Sequence, residues 1–225
     1  PLTGINLATF RTIAAARGAG WFQYDFWTHH LLTILGYVYY RTYDIQTVLP
    51  GYTNASAYSD SYKRKTGRSN ILTTACGYVP VDLAGVDSDL TGILASGKAI
   101  ANRFFWIENI YGHVWKMTDG FAADGRTSST NKAYVTPDPS KFSSIEATIL
   151  TNYDDLGILL PGDQNEAYIQ YLQKGMLPKT QGGGATTYVT DYFWSYLNDN
   201  ARDYMRLCRV GGDLRLDVPF KGNQL

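Results

Sequence analysis

Hydrophobic periodicity changes once along this chain, near Pro50, and that change limits the fold more than any other feature. Before it, apolar residues recur at helical spacing. Asn6 can cap a helix that carries Leu7, Phe10, Ile13 and Ala14 on one face, and Gly18, just past Arg17, can stop it. A short strand is predicted over 21–24. A second helix is then predicted from about Asp25 to Tyr43, with Phe26, His29, Leu32 and Gly36 on one side and Leu31, Leu35, Val38 and Tyr39 extending the apolar face. From Pro50 onward, short apolar pieces such as YVPVDLAGV and ATILTNYDDLGILL alternate with Gly, Asn, Asp and Ser clusters, as short strands joined by long loops would. Two helices followed by short strands and long loops make an α+β pattern. The tract GGG at 182–184 has linker chemistry.

The stretch RFFWIENIYGHVWKMTDGF, Arg103 to Phe121, holds two of the five tryptophans. Trp115 and Met117 alternate with Lys116 and Thr118, after which Asp119-Gly120 is predicted to turn the chain back at Phe121, giving a half-buried hairpin. Asn109 and Gly112 supply turn residues. Trp106 and Trp115, each with a large apolar area and one N–H, suit a small core better than proton transfer.

A chain of 225 residues can bury a sizeable core, and one domain with large insertions is the natural division. Twenty basic and twenty acidic residues cancel, so the one-sided field that nucleic acid or an anionic membrane calls for is missing. The longest apolar run, Leu31 to Tyr40, is about half of what a bilayer needs. No membrane insertion is expected. The opening PLTG carries no charged-then-apolar leader, as in a mature form, a fragment or a chain outside the secretory route. Eighteen tyrosines fit either a recognition surface or ordinary core and sheet positions. Cys76 and Cys208 could pair, but their distance in sequence and apolar neighbours fit two buried free thiols better.

No catalytic constellation emerges. His29 and His30 are adjacent and cannot grip a metal as an i, i+4 pair could. VDSDLTG, 86–92, opens like a calcium loop but lacks the downstream glutamate, and QGGGATT lacks the lysine of a phosphate loop. Cys76 or Cys208 could be paired with His113, yet no orienting acid stands beside them. Neither a catalytic residue, a cofactor nor a metal is expected.

Three segments occur in a recognisable order: GINLATFRTIAAARGAGW, RFFWIENIYGHVWKMTDGF and TYVTDYFWSYLNDNARDYMRLCRVGGDL. The chain resembles the C-type-lectin-like domains of phage and bacterial ligand-binding proteins, a group that includes proteins diversified by retroelements and is distantly similar to the formylglycine-generating-enzyme fold. The resemblance rests on Arg17, Gly18, Gly20 and Trp21 after the first helix; on Glu108, Asn109, Gly112, Trp115, Asp119 and Gly120 in a core strand; and on Gly211-Gly212. It implies a single domain over 1–225, with two N-terminal helices packed on small antiparallel sheets and long loops. Family members run on past the Gly-Gly into further strands, so the final strands would be missing, cleaved or replaced by a neighbouring chain.

The resemblance further implies a non-enzymatic recognition domain of a phage fibre, tail or capsid, that binds a bacterial surface glycan or protein. Such a chain is assembled in the host cytoplasm, resides in the virion beside other virion proteins and is expected to be a homotrimer. Its binding residues would lie on an irregular, loop-rich surface from about Tyr192 to Arg215: Trp194, Tyr196, Asn198, Asn200, Arg202, Asp203, Tyr204, Arg206 and Arg209. A structural virion protein without external ligand is the alternative, and an oxidative enzyme is a third. Catalysis does not carry over from the formylglycine-generating enzymes, because no close late cysteine pair is present.

Overall fold

A computed structural model describes residues 6–51, 67–81, 99–111, 116–124, 131–161, 166–174, 177–184, 186–187, 189, 192–194, 205–210 and 216–221. From residue 192 onward only Phe193 is described beyond its backbone.

Helix α1 spans Leu7–Ala15, and its cap is the expected one: the Asn6 side chain accepts from Thr9 N at 2.9 Å. Helix α2 spans Phe26–Tyr40 and is capped by Asp25, whose carboxylate accepts from the backbone N–H of Trp27 and Thr28. It ends three residues earlier than expected. Arg41 adopts a left-handed conformation (φ 57°), which breaks the helix and lets Tyr43 fold back edge-on against Tyr37 at 4.8 Å. The one-turn helix α3, Ile45–Val48, follows. The predicted strand over 21–24 does not form. That segment makes one parallel bridge, Asp25 to Asp119, with Tyr24 O accepting from Asp119 N at 2.9 Å, too little pairing for a strand.

The described strands form three antiparallel sheets. In the first, β1 (Gly77–Val81), β2 (Ala99–Phe104) and β3 (Ile107–Glu108) pair in that order. The second is built on β4 (Lys116–Asp124) and β5 (Lys132–Val135), with helix α4 (Glu146–Asn152) leading into its edge strand β6 (Asp154–Leu159). In the third, β7 (Glu166–Gln173) lies between β8 (Leu177–Gln181) and β9 (Tyr192–Trp194). Strands β10 (Met205–Val210) and β11 (Leu216–Lys221) complete the second sheet, in the order β11-β10-β4-β5-β6. The architecture is α+β, two N-terminal helices with small antiparallel sheets. The segment ATILTNY, read as strand, is the helix α4.

Strand β4 does not turn at Asp119-Gly120. It continues to Asp124, and the Asp-Gly pair forms a bulge: Leu207 of β10 faces Ala122 while the next residue, Cys208, faces Thr118, leaving 119–121 as extra residues on β4. Gly120 supplies the positive φ of 71° that the bulge needs, and a Cβ there would stand 2.8 Å from Thr136 O and from the Phe142 ring.

Both faces of the sheet are covered, so Thr118 through Asp124 are all buried. Ala122 and Tyr134 face Leu7 of α1, Ile149 of α4 and Tyr153. Phe121, Ala123, Ala133 and Val135 point the other way, onto Phe26 of α2 and Ile169, Leu177 and Phe193 of the third sheet. Farther along α2, Leu32 and Tyr37 pack with Ile45, Leu49, Phe104 and Tyr111, so this helix joins two cores. Its inner positions Phe26, His29, Leu32 and Gly36 are buried as expected. Leu31, Val38 and Tyr39 are not part of that face; they are exposed.

The GGG tract is not a linker. Gly182 and Gly183 both donate to Tyr168 O, and Gly183 lies so close to β7 that a Cβ would meet Ile169 O at 2.6 Å. No helix among the described residues is long and apolar enough to cross a membrane.

Candidate functional site

The polar residues of the Glu-Asn and Asp-Gly motifs are occupied in building the framework, and they do so in two different sheets rather than on one core strand. The Glu108 carboxylate on β3 accepts from the backbone N–H of Gly67 and of Ser69, tying the turn at 67–71 to the first sheet. Asn109, at a positive φ of 52°, donates its backbone N–H to Asn102 O at 2.8 Å. Asp119, fully buried in the β4 bulge, receives both Nε (2.5 Å) and Nη2 (2.9 Å) of Arg11 in a two-pronged ion pair. Arg11 Nη1 also donates to Ser144 Oγ at 3.0 Å, so the pair holds α1, β4 and the approach to α4 together. Trp115 and Gly112 lie outside the described residues.

Trp106 departs from expectation. It is not core; it sits at the tip of the β2–β3 hairpin and is 65% exposed. The register Phe104 to Ile107 leaves Phe105 and Trp106 as a two-residue connection, and both have positive φ, 45° and 68°. A two-residue hairpin of this hand favours Asn-Gly, because a left-handed residue with a bulky side chain costs about 1–2 kcal/mol. Two consecutive aromatics at such a tip are therefore held there by their surroundings. Trp106 N donates to Ala75 O at 2.9 Å, and Phe105 N donates to the half-buried free thiol of Cys76 at 3.4 Å.

Beneath the indole lies Arg103, its guanidinium 5.2 Å from the ring centroid. Arg103 is buried, and it donates from Nε to Ser69 Oγ, from Nη1 to Leu72 O and from Nη2 to Asn70 Oδ1. Phe105 meets the exposed Tyr39 of α2 edge-on at 5.7 Å. Tyr39, Phe105 and Trp106 together make an exposed aromatic surface. Nothing in FFWIE announces the turn, since it lacks Gly, Asn and Asp; the unusual hairpin shows only in the backbone.

Trp194, Arg206 and Arg209 lie in strands, not in a loop. Trp194 closes β9 opposite Glu166; Arg206 faces Ala123 and Lys221, and Arg209 faces Met117 and Asp217 in β10. Pairing on both sides by β4 and β11 consumes the backbone of this segment, which is why it is regular. Tyr196, Asn198, Asn200, Arg202, Asp203, Tyr204 and Gly211-Gly212 lie outside the described residues, as do VDSDLTG and His113.

The histidines have structural surroundings. His29 Nδ1 is 3.0 Å from Tyr24 Oη, and His30 stacks on Phe26 at 5.7 Å. Burial, with the Asp25 charge adding to it, raises the pKa of Tyr24, and burial lowers that of His30. No group of three or more His, Cys, Asp or Glu able to hold a metal occurs among the described residues.

Lys116, at the start of β4, has its Nζ buried with no hydrogen-bond partner among the described residues, and burial lowers its pKa to about 8 from 10.5. Between those values the unfolded chain binds more protons than the folded one, so stability rises with pH across that range. Lys116→Met should stabilise the fold at pH 7 by about 1–3 kcal/mol and flatten the rise between pH 8 and 9.5, as read by urea denaturation. Tyr40 and Tyr153, both raised to about 12 chiefly by burial, oppose the rise only as pH passes 10.

No family model, no curated protein and no solved structure matches this chain.

Proposed function

We propose that the chain is a non-enzymatic recognition domain of a phage virion fibre, with a C-type-lectin-like fold, that binds a bacterial surface glycan or protein. The observation that carries this reading is the engagement of the motif side chains. Glu108 holds backbone amides and Asp119 holds Arg11, so these two residues of the middle motif act as framework, whereas Trp21 of the first motif is exposed. That is the division of labour the resemblance implies, with recognition left to residues outside the motifs.

In this reading the late stretch from Trp194 to Arg209 supplies ligand contacts, and Tyr204 is one of its aromatic anchors. Tyr204→Ala should weaken binding to whole bacterial cells by about 1–4 kcal/mol with little change in melting temperature, because a ligand-contacting anchor contributes at the interface rather than in the core. Equal binding by the variant and the wild type would remove the late stretch from the site.

A second reading, a structural virion protein packed against copies of itself or other virion chains, is favoured by one feature. Helix α2 contains no Asp, Glu, Lys or Arg, and its outer side exposes Leu31, Val38 and Tyr39. The homotrimer belongs to both readings, and analytical ultracentrifugation at micromolar concentration decides it.

A further inference from the structure

We infer that the β2–β3 hairpin tip is a saccharide-binding site, with the Trp106 indole as the platform on which one sugar ring stacks and Tyr39 and Phe105 flanking it. Strain is the starting observation. Phe105 and Trp106 both hold left-handed backbone at a tip where asparagine and glycine would be relaxed, and Trp106 remains 65% exposed, so the aromatic ring gains little from burial in return. Orientation is the second. One face of the indole rests on Arg103, which three neutral acceptors hold in place, so the opposite face is the one left to solvent.

The chemistry around the tip selects the ligand. Beyond Arg68, the neighbouring segment as far as Val81 contains no charged residue, and its exposed polar residues are Asn70, Thr73, Thr74 and Tyr78. Arg103 already occupies the inner face of Trp106, which disfavours a cationic ligand on the outer one. A neutral sugar matches what is left: its C–H face lies against the indole and its hydroxyls meet amide and hydroxyl partners. A peptide or a second copy of this chain would be expected to bring charge or a larger apolar area. The inference rests on the recognition reading but not on the late stretch.

The test uses the purified chain on an immobilised array of bacterial oligosaccharides and polysaccharides, with thermal melting and sedimentation measured in parallel. Trp106→Gly should raise the melting temperature by about 2–4 °C, as relief of the left-handed strain would in a chain of this length, and weaken array binding at least tenfold. Trp106→Phe should keep most of the binding. Tyr204→Ala serves as the comparison. Array binding lost in Tyr204→Ala and kept in Trp106→Gly would overturn the hairpin site and leave the recognition reading standing. A wild-type chain that binds cells but no glycan on the array would overturn the sugar assignment, and one that binds neither would overturn the recognition reading together with it. A change in sedimentation with Trp106→Gly would make the tip a contact between chains and overturn the inference as well.

Discussion

Asp119→Ala should destabilise the fold by about 3–5 kcal/mol, measured by chemical denaturation, because it leaves the Arg11 guanidinium without its buried partner. The side chain of Asp119 is completely enclosed and that of Arg11 is only 20% exposed, so water cannot take the place of the lost carboxylate. Two further bonds go with it. Gly120 N loses its acceptor in the bulge, and Arg11 is no longer oriented toward Ser144. In a double-mutant cycle with Arg11→Ala, the two losses should be strongly non-additive, since each substitution removes the same contact. Additive losses would mean that the pair does not join α1 to β4.

Phe26→Ala should cost a similar amount, about 3–5 kcal/mol, for a different reason. Phe26 is fully buried in the first turn of α2, parallel to the His30 ring at 5.7 Å and 5.1 Å from Phe121 of β4. Its removal opens a cavity where helix, second sheet and third sheet meet, and the surrounding strands are paired too regularly to close it. A melting temperature within a degree of wild type would show that this core does not hold α2 to the sheet.

The parts of the fold that were legible from the sequence are those decided locally. Asn6 and Asp25 cap their helices with their own side chains, so the starts of α1 and α2 are written in a few neighbouring residues. The end of α2 was less legible, because Arg41 enters the left-handed region without being a glycine. Strand β4 misled because helices cover one face and the third sheet and α2 the other, which erases the alternation that marks a half-buried strand. Without that signal, Asp119-Gly120 has the composition of a turn and the structure of a bulge.

Trp106 illustrates the converse. Composition assigns a tryptophan to the core, and only the register of β2 with β3 shows that this one occupies a hairpin tip. The resemblance alone points to the residues of the late stretch as a loop surface, whereas the pairing of β10 with β4 and β11 places Arg206 and Arg209 on a strand inside the largest sheet. Pairing between segments more than eighty residues apart leaves no trace in local pattern.

Recognition of a bacterial surface, the function proposed for this chain, is read out by saturation binding. Fluorescently labelled chain would be titrated onto a panel of bacterial strains, each titration repeated with excess unlabelled chain. A recognition domain should show saturable binding to at least one strain, displaced by the unlabelled chain and weakened by Tyr204→Ala without a fall in melting temperature. Linear, undisplaced association with every strain would contradict it.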